Sequence, residues 1–71
     1  MALSKKTLMI NGQTYKYNAS FTVLSLLTYL GFKVNLIVVD YNGVVLQKEF
    51  WPITNLKNND KLEILTVAGG G

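Results

Sequence analysis

Thr7-Leu8-Met9-Ile10-Asn11-Gly12-Gln13-Thr14-Tyr15-Lys16-Tyr17 reads as a β-hairpin, and the rest of the fold is built against it. Asn11-Gly12 suits a two-residue type I′ turn, whose central residues both need positive φ. A turn that tight sets Ile10 opposite Gln13, Leu8 opposite Tyr15 and Lys6 opposite Tyr17. Leu8, Ile10, Tyr15 and Tyr17 then share one face, expected to be the core face, and Thr7, Met9, Thr14 and Lys16 share the other.

The next segment predicts a helix. Thr22 is placed to cap it, its hydroxyl accepting from a backbone N–H of the first turn. Phe21 and Leu26 stand at the two positions of a hydrophobic staple. Val23, Leu26, Leu27 and Leu30 follow the i, i+3, i+4, i+7 spacing of one buried stripe, and Gly31 falls where a left-handed terminator belongs. A core helix is expected, because the flanking strands need a cover.

Beyond it, Leu36-Ile37-Val38-Val39 is a β-branched run read as a third strand. A second Asn-Gly, Asn42-Gly43, turns it into the short strand Val44-Val45-Leu46. Phe50-Trp51-Pro52-Ile53 cannot lie in a central strand, because Pro52 has no N–H. It is expected to be a turn or short helix whose aromatics plug an edge of the core. Asn58 and Asn59, in the loop Leu56 to Asp60, tolerate left-handed backbone. Leu62 to Val67 is the last strand, with Leu62 and Ile64 on one face and Glu63, Leu65 and Val67 on the other. One helix covers only one side of a sheet. Met9, Leu65 and Val67 would then form an apolar patch on the open side, a candidate docking surface, unless lysine stems cover them.

The pattern predicts an α+β domain over residues 1–67: a mixed, mostly antiparallel sheet of four to five strands with one helix packed across one face. Residues 68–71, Ala68-Gly69-Gly70-Gly71, form a separate glycine tail, expected to be mobile. By itself that tail reads as a disordered terminus. Its carboxylate is a poor electrophile and needs activation by another protein before acyl chemistry.

Composition narrows the function. The chain has 71 residues, no cysteine and no histidine. It therefore has no thiol nucleophile, no thiolate or imidazole metal ligand, and no side chain suited to proton transfer near neutral pH. The acids Asp40, Glu49, Asp60 and Glu63 show no spacing that pairs them, and the serines have no histidine to activate them. No metal or cofactor is expected on the chain, nor catalysis by it alone. The net charge of +3 comes from seven lysines, with no arginine. Arginine is the preferred bidentate reader of phosphate and guanine. Scattered lysines point to a solvated surface, not a nucleic-acid stripe. No apolar run approaches the ~20 residues of a membrane helix, and residues 1–6 lack the apolar core of a secretion signal. The abundance of Asn and Lys without Arg suits an AT-rich genome, such as a plastid or a low-GC bacterium.

Several of these features together resemble the ThiS family, small sulfur carriers of the ubiquitin-like β-grasp group. The hairpin Leu8 to Tyr17, the helix start Thr22-Val23-Leu24-Ser25-Leu26-Leu27, and Leu30-Gly31 match the family. So do Asn42-Gly43-Val44-Val45 followed by Trp51, the segment Leu56 to Ile64, and the ending Gly69-Gly70-Gly71. Asn59 stands where the family usually has glycine, and Gln47-Lys48 replaces a frequent Pro-Arg pair. The resemblance implies a carrier cycle. An E1-like adenylating enzyme (ThiF-like) would use ATP to adenylate the Gly71 carboxylate. Sulfur from a donor such as a cysteine desulfurase system would convert it to a thiocarboxylate, and a thiazole synthase (ThiG-like) would draw on that sulfur for thiamine. Gly69 and Gly70 would thread the partner's site while Met9, Leu65 and Val67 dock outside, in the bacterial cytoplasm or plastid stroma. Two other readings stand beside this one. Val67-Ala68-Gly69-Gly70 echoes the end of the molybdopterin-synthase small subunit, although Gly71, the short chain and Trp51 favour the thiamine carrier. A ubiquitin-like binding module with an unused tail is the alternative from a different class.

Overall fold

The computed structural model of the chain describes residues 5–67. Strands β1 (Lys6–Ile10) and β2 (Gln13–Tyr17) form the hairpin, followed by helix α1 (Val23–Tyr29). Strands β3 (Ile37–Tyr41), β4 (Val44–Leu46) and β5 (Asp60–Thr66) complete a five-stranded sheet in the order β2-β1-β5-β3-β4. Short 3-10 turns cover Val34–Leu36 and Lys48–Ile53. Three of the four strand pairs are antiparallel, and β1 with β5 is parallel.

The hairpin register is the expected one: Ile10 opposite Gln13, Leu8 opposite Tyr15, Lys6 opposite Tyr17. Both Asn-Gly pairs have positive φ, 50° and 83° at Asn11 and Gly12, and 52° and 91° at Asn42 and Gly43. The two asparagines also do something that turn chemistry does not require. The Asn11 side chain accepts from the Ile64 N–H (2.7 Å) and donates to the Ile64 carbonyl (3.3 Å). Asn42 accepts from the Lys61 N–H through Oδ1 (2.7 Å). Each turn thus holds β5 from one side.

Helix α1 begins with a reciprocal cap. The Ser25 N–H donates to Thr22 Oγ1 (3.1 Å) and the Thr22 N–H donates to Ser25 Oγ (2.8 Å). It ends in a Schellman closure, Gly31 N–H to Thr28 carbonyl and Phe32 N–H to Leu27 carbonyl, with Gly31 at φ 84°. Val23, Leu26 and Leu27 are buried against Leu8, Ile10, Ile37, Val39, Leu62 and Ile64.

Three expected core residues lie elsewhere. Leu30 is 41% exposed, because it is the cap residue and the chain has already turned away from the sheet. Tyr15 is 43% exposed, because β2 is an edge strand and its ring lies at the rim. Phe50 is also exposed, so Trp51 alone plugs the edge. It is buried, and its Nε1 donates to the Leu46 carbonyl (3.0 Å).

Asp60 is a buried carboxylate at the start of β5. Its Oδ2 accepts from the Tyr41 hydroxyl (2.6 Å) and the Lys57 N–H (2.7 Å), and its Oδ1 from Asn42 Nδ2 (3.1 Å). Burial works to raise its pKa, but these hydrogen bonds outweigh it and hold the carboxyl below its ordinary value. The same burial, joined by the bond to Asp60, pushes Tyr41 up to about 12. Asn59, beside it, takes φ 70°, so asparagine meets the left-handed geometry there.

Candidate functional site

Strand β5 delivers the chain to its C-terminal segment. Its last rung pairs Thr66 with Ile37, and the Val67 N–H donates to the Leu36 carbonyl (2.7 Å). The residues expected to carry the chemistry, Gly69, Gly70 and Gly71, lie outside the described residues.

The open face of the sheet is set by register. Met9 of β1, Val38 and Asp40 of β3, Val45 of β4, and Lys61, Glu63 and Leu65 of β5 lie on the side away from α1, and Val67 continues that alternation. Leu65 is 64% exposed and Val67 45%, so lysine stems do not bury them.

The three residues singled out from the sequence do not form one patch. Met9 is opposite Lys61, four residues before Leu65 on β5, about 13 Å along the strand. Leu65 instead pairs directly with Val38, and Val45 stands across β3 on the same face. Val38, Val45, Leu65 and Val67 therefore make the apolar surface beside the chain's exit, with Met9 on the far side of Lys61 and Glu63. Val38 and Val45 were missed although the signal was present. Ile37-Val38-Val39 and Val44-Val45-Leu46 are apolar at consecutive positions, which puts apolar side chains on both faces of a strand.

The same face holds a pair of carboxylates. Asp40 is directly opposite Glu63, a juxtaposition that sequence spacing did not reveal. Asp40 Oδ1 accepts from the Gly43 N–H (2.8 Å), so its position is fixed by the turn. With Asn42, Asn59 and Lys61 the two acids line a shallow depression that runs to Leu65. Among the described residues no group of three or more acids, histidines or cysteines is placed to hold a metal, and no helix is long and apolar enough to cross a membrane.

Comparison with known proteins bears on this geometry. The crystal structure of the thiamine biosynthesis protein ThiS from Geobacter metallireducens superposes with a TM-score of 0.79 at 32% identity, over 92% of this chain and 99% of that one. The two share the ubiquitin-like β-grasp architecture. The uncharacterized protein ycf40 of Trieres chinensis is 41% identical over 66 residues, covering 93% of this chain and 90% of that protein. The ycf40 protein of Pyropia yezoensis is 32% identical over the full length of both. A thiazole synthase of Paramagnetospirillum magneticum is 36% identical over 64 residues, which are 90% of this chain and 20% of that protein. The family model for ThiS matches residues 8–71, from the first core residue of the hairpin to the terminal glycine, and the chain belongs to the ThiS family.

Proposed function

We propose that this chain is a sulfur carrier of thiamine biosynthesis and that Gly71 is the residue it carries sulfur on. A ThiS-family chain is a small carrier protein, not a catalyst. The Gly71 carboxylate attacks the α-phosphate of ATP in an E1-like, ThiF-like partner, releasing pyrophosphate and leaving an acyl-adenylate. The terminal sulfur of a persulfide, delivered by a cysteine desulfurase system, then attacks the acyl carbon and displaces AMP; a second thiol reduces the resulting acyl disulfide, leaving a C-terminal thiocarboxylate on Gly71 and the two donor thiols as a disulfide. A thiazole synthase takes the sulfur from the thiocarboxylate.

The observation that supports this most is a placement. The exposed surface of Val38, Val45, Leu65 and Val67 lies where β5 hands over to the last four residues, 68–71. A partner that grips this surface holds the body while glycines, which carry no side chain, enter a narrow site. Asp40 and Glu63 add a negative border that suits a basic partner residue. The thiazole synthase that contains a matching stretch favours thiazole formation over the molybdopterin reading, as does the likeness to a thiamine biosynthesis protein. The ycf40 relatives of Trieres chinensis and Pyropia yezoensis favour the plastid stroma as the site of action.

The test is intact mass after co-expression with the adenylating enzyme and sulfur donor. A carrier gains the mass difference of one oxygen replaced by sulfur, located at Gly71. A chain that binds partners but is never modified is a binding module with an unused tail.

A further inference from the structure

A second surface is unexplained by the carrier cycle. Between the hairpin and α1 runs a groove of ≈ 400 Å³ lined by Tyr15, Tyr17, Phe21, Leu26, Tyr29 and Leu30 among others. The rings of Tyr17, Phe21 and Tyr29 form a tilted series with centroid separations of 6.1 and 5.6 Å. Tyr29 is 75% exposed, with its ring against Phe21. The groove is on the helix side of the sheet, away from Val38 and Leu65.

One wall of the groove is an open sheet edge. Strand β2 is terminal in the sheet order. Ladder bonds in an antiparallel pair alternate, and a two-residue turn makes Ile10 and Gln13 a bonded pair. Tyr15 and Tyr17 bond inward by the same alternation. The N–H and C=O groups of Thr14 and Lys16 therefore point outward. The other edge strand, β4, has three residues against five in β2, and short edges pair poorly.

Charge is distributed unevenly in the same sense. Residues 5–39, which hold the hairpin and helix, contain Lys5, Lys6, Lys16 and Lys33 and no acid, while all four acids lie at position 40 or later. Lys16 lines the groove, and Lys6 Nζ lies 5.8 Å from the centre of the Tyr17 ring. No carboxylate lines the groove among the described residues, and Asp60, on the neighbouring β5, is buried and already accepts three hydrogen bonds.

We infer that the β2 edge and this groove bind an extended segment of a partner protein in which apolar side chains are flanked by aspartates or glutamates. The segment adds as a strand outside β2, pairing with the Thr14 and Lys16 backbone. Its alternate apolar side chains enter the groove over Tyr15, Tyr29 and Leu30, an acid flanking them on that face meets Lys6, and an acid on the opposite face meets the Lys16 side chain. The site is remote in function from the tail, so a partner can hold the carrier here whether or not Gly71 is engaged.

The experiment uses the full chain, ¹⁵N-labelled, titrated with a short blocked peptide of alternating valine and isoleucine flanked by aspartates. A peptide flanked by lysines is the matched control. Saturable shifts are expected at the Thr14 and Lys16 amides and in the last turn of α1, with weaker binding as salt rises. Lys16→Glu is expected to weaken binding about threefold to tenfold, the scale of an exposed charge contact and its reversal. Thr14→Pro removes an outward donor without touching the β1 ladder and is expected to abolish binding. Should that variant unfold, Tyr29→Ala, which trims an exposed ring, gives the same reading through lost affinity. Equal binding of the lysine-flanked peptide overturns the inference. So do shifts centred on Val38 and Leu65, shifts that follow protein concentration without peptide, or native affinity in folded Lys16→Glu and Tyr29→Ala variants.

Discussion

Asp40 and Glu63 occupy directly opposed positions on β3 and β5, two carboxylates facing one another across the open side of the sheet. Like charges at such a position are destabilising, by roughly 0.2–1 kcal/mol for a cross-strand pair. A fold that keeps them retains a repulsion beside the exposed apolar surface of Val38, Val45 and Leu65. Glu63→Gln should therefore raise stability by about 0.5 kcal/mol, read as a higher urea midpoint at unchanged slope. If docking uses the pair, the same variant slows adenylation by the partner. A stabilised variant with unchanged exchange rate would separate the two effects and remove the acids from the docking surface.

Leu65 and Val38 form the apolar counterpart. Both are exposed, so their truncation removes little buried area from the free chain, and surface changes are usually within about 0.5 kcal/mol. Leu65→Ser and Val38→Ser should keep the melting temperature within a few degrees. In ATP–pyrophosphate exchange with the adenylating partner, each should raise the concentration needed for half-maximal rate by about tenfold, on the scale of an interface residue worth more than ~1 kcal/mol. Met9→Ser should have a smaller effect, since Lys61 and Glu63 separate Met9 from this surface. A larger effect at Met9 than at Leu65 would place the partner elsewhere on the sheet.

Much of this was legible in the chain. The two Asn-Gly turns fixed strand boundaries and register, because few residue pairs hold two successive positive φ values. The Thr22 cap and Gly31 terminator bracketed the helix for the same local reason. What escaped depended on residues far apart in sequence. The parallel pairing of β1 with β5 brings position 9 to 61, and β3 with β5 brings 40 to 63; neither leaves a periodic mark. The asparagine side chains that clamp β5, and the Asp60 cluster, are likewise products of tertiary placement. Leu30 was misplaced because helical spacing continues on paper past the residue where the backbone turns.

Asp60 gives the fold a defined acid response. Its carboxyl lies below its ordinary value of 3.8 in the folded chain, so the folded state binds that proton less readily than the unfolded state. The resulting stability is present above pH 3.8 and is lost as the pH falls through the lower folded value. Tyr41 has the opposite sense. Raised from 10.0 to about 12, it contributes below pH 10 and loses that contribution as the pH rises through about 12. Tyr41→Phe leaves Asp60 short of one donor and should lower stability at neutral pH by ~1.5–3 kcal/mol, the scale of a hydrogen bond to a charged group. Asp60→Asn should be destabilising by a similar amount at neutral pH, with the gap to the native chain closing below pH 3.8. A gap that stays constant with pH would mean that Asp60 acts through packing alone.

Tyr17 presents the converse case, since its hydroxyl is buried without a hydrogen-bond partner among the described residues. Such a group carries a desolvation penalty of roughly 1–3 kcal/mol with no bond to offset it. Tyr17→Phe keeps the ring against Phe21 and removes the penalty. The variant should be at least as stable as the native chain, by about 1 kcal/mol in thermal unfolding. A clear loss of stability would reveal a partner for the hydroxyl in solution, such as an ordered water.

Gly71 is where the carrier proposal can fail outright. On the carrier proposal, a β-carbon at this position adds bulk next to the carboxylate that reaches the α-phosphate of ATP in the partner's site. Misplacing a reacting atom by about an ångström commonly costs about 10²-fold in rate. Gly71→Val should therefore fold and melt like the native chain, because the ordered sheet ends at Thr66, while pyrophosphate exchange with the adenylating partner falls by about that factor. Gly71→Ala should show the same loss in smaller measure. Docking should be unchanged in both, measured by competition of the variant against the native chain for the partner. A Gly71→Val chain that is adenylated at the native rate would mean that the carboxylate never enters a confined site, and the terminal glycine would have no special role.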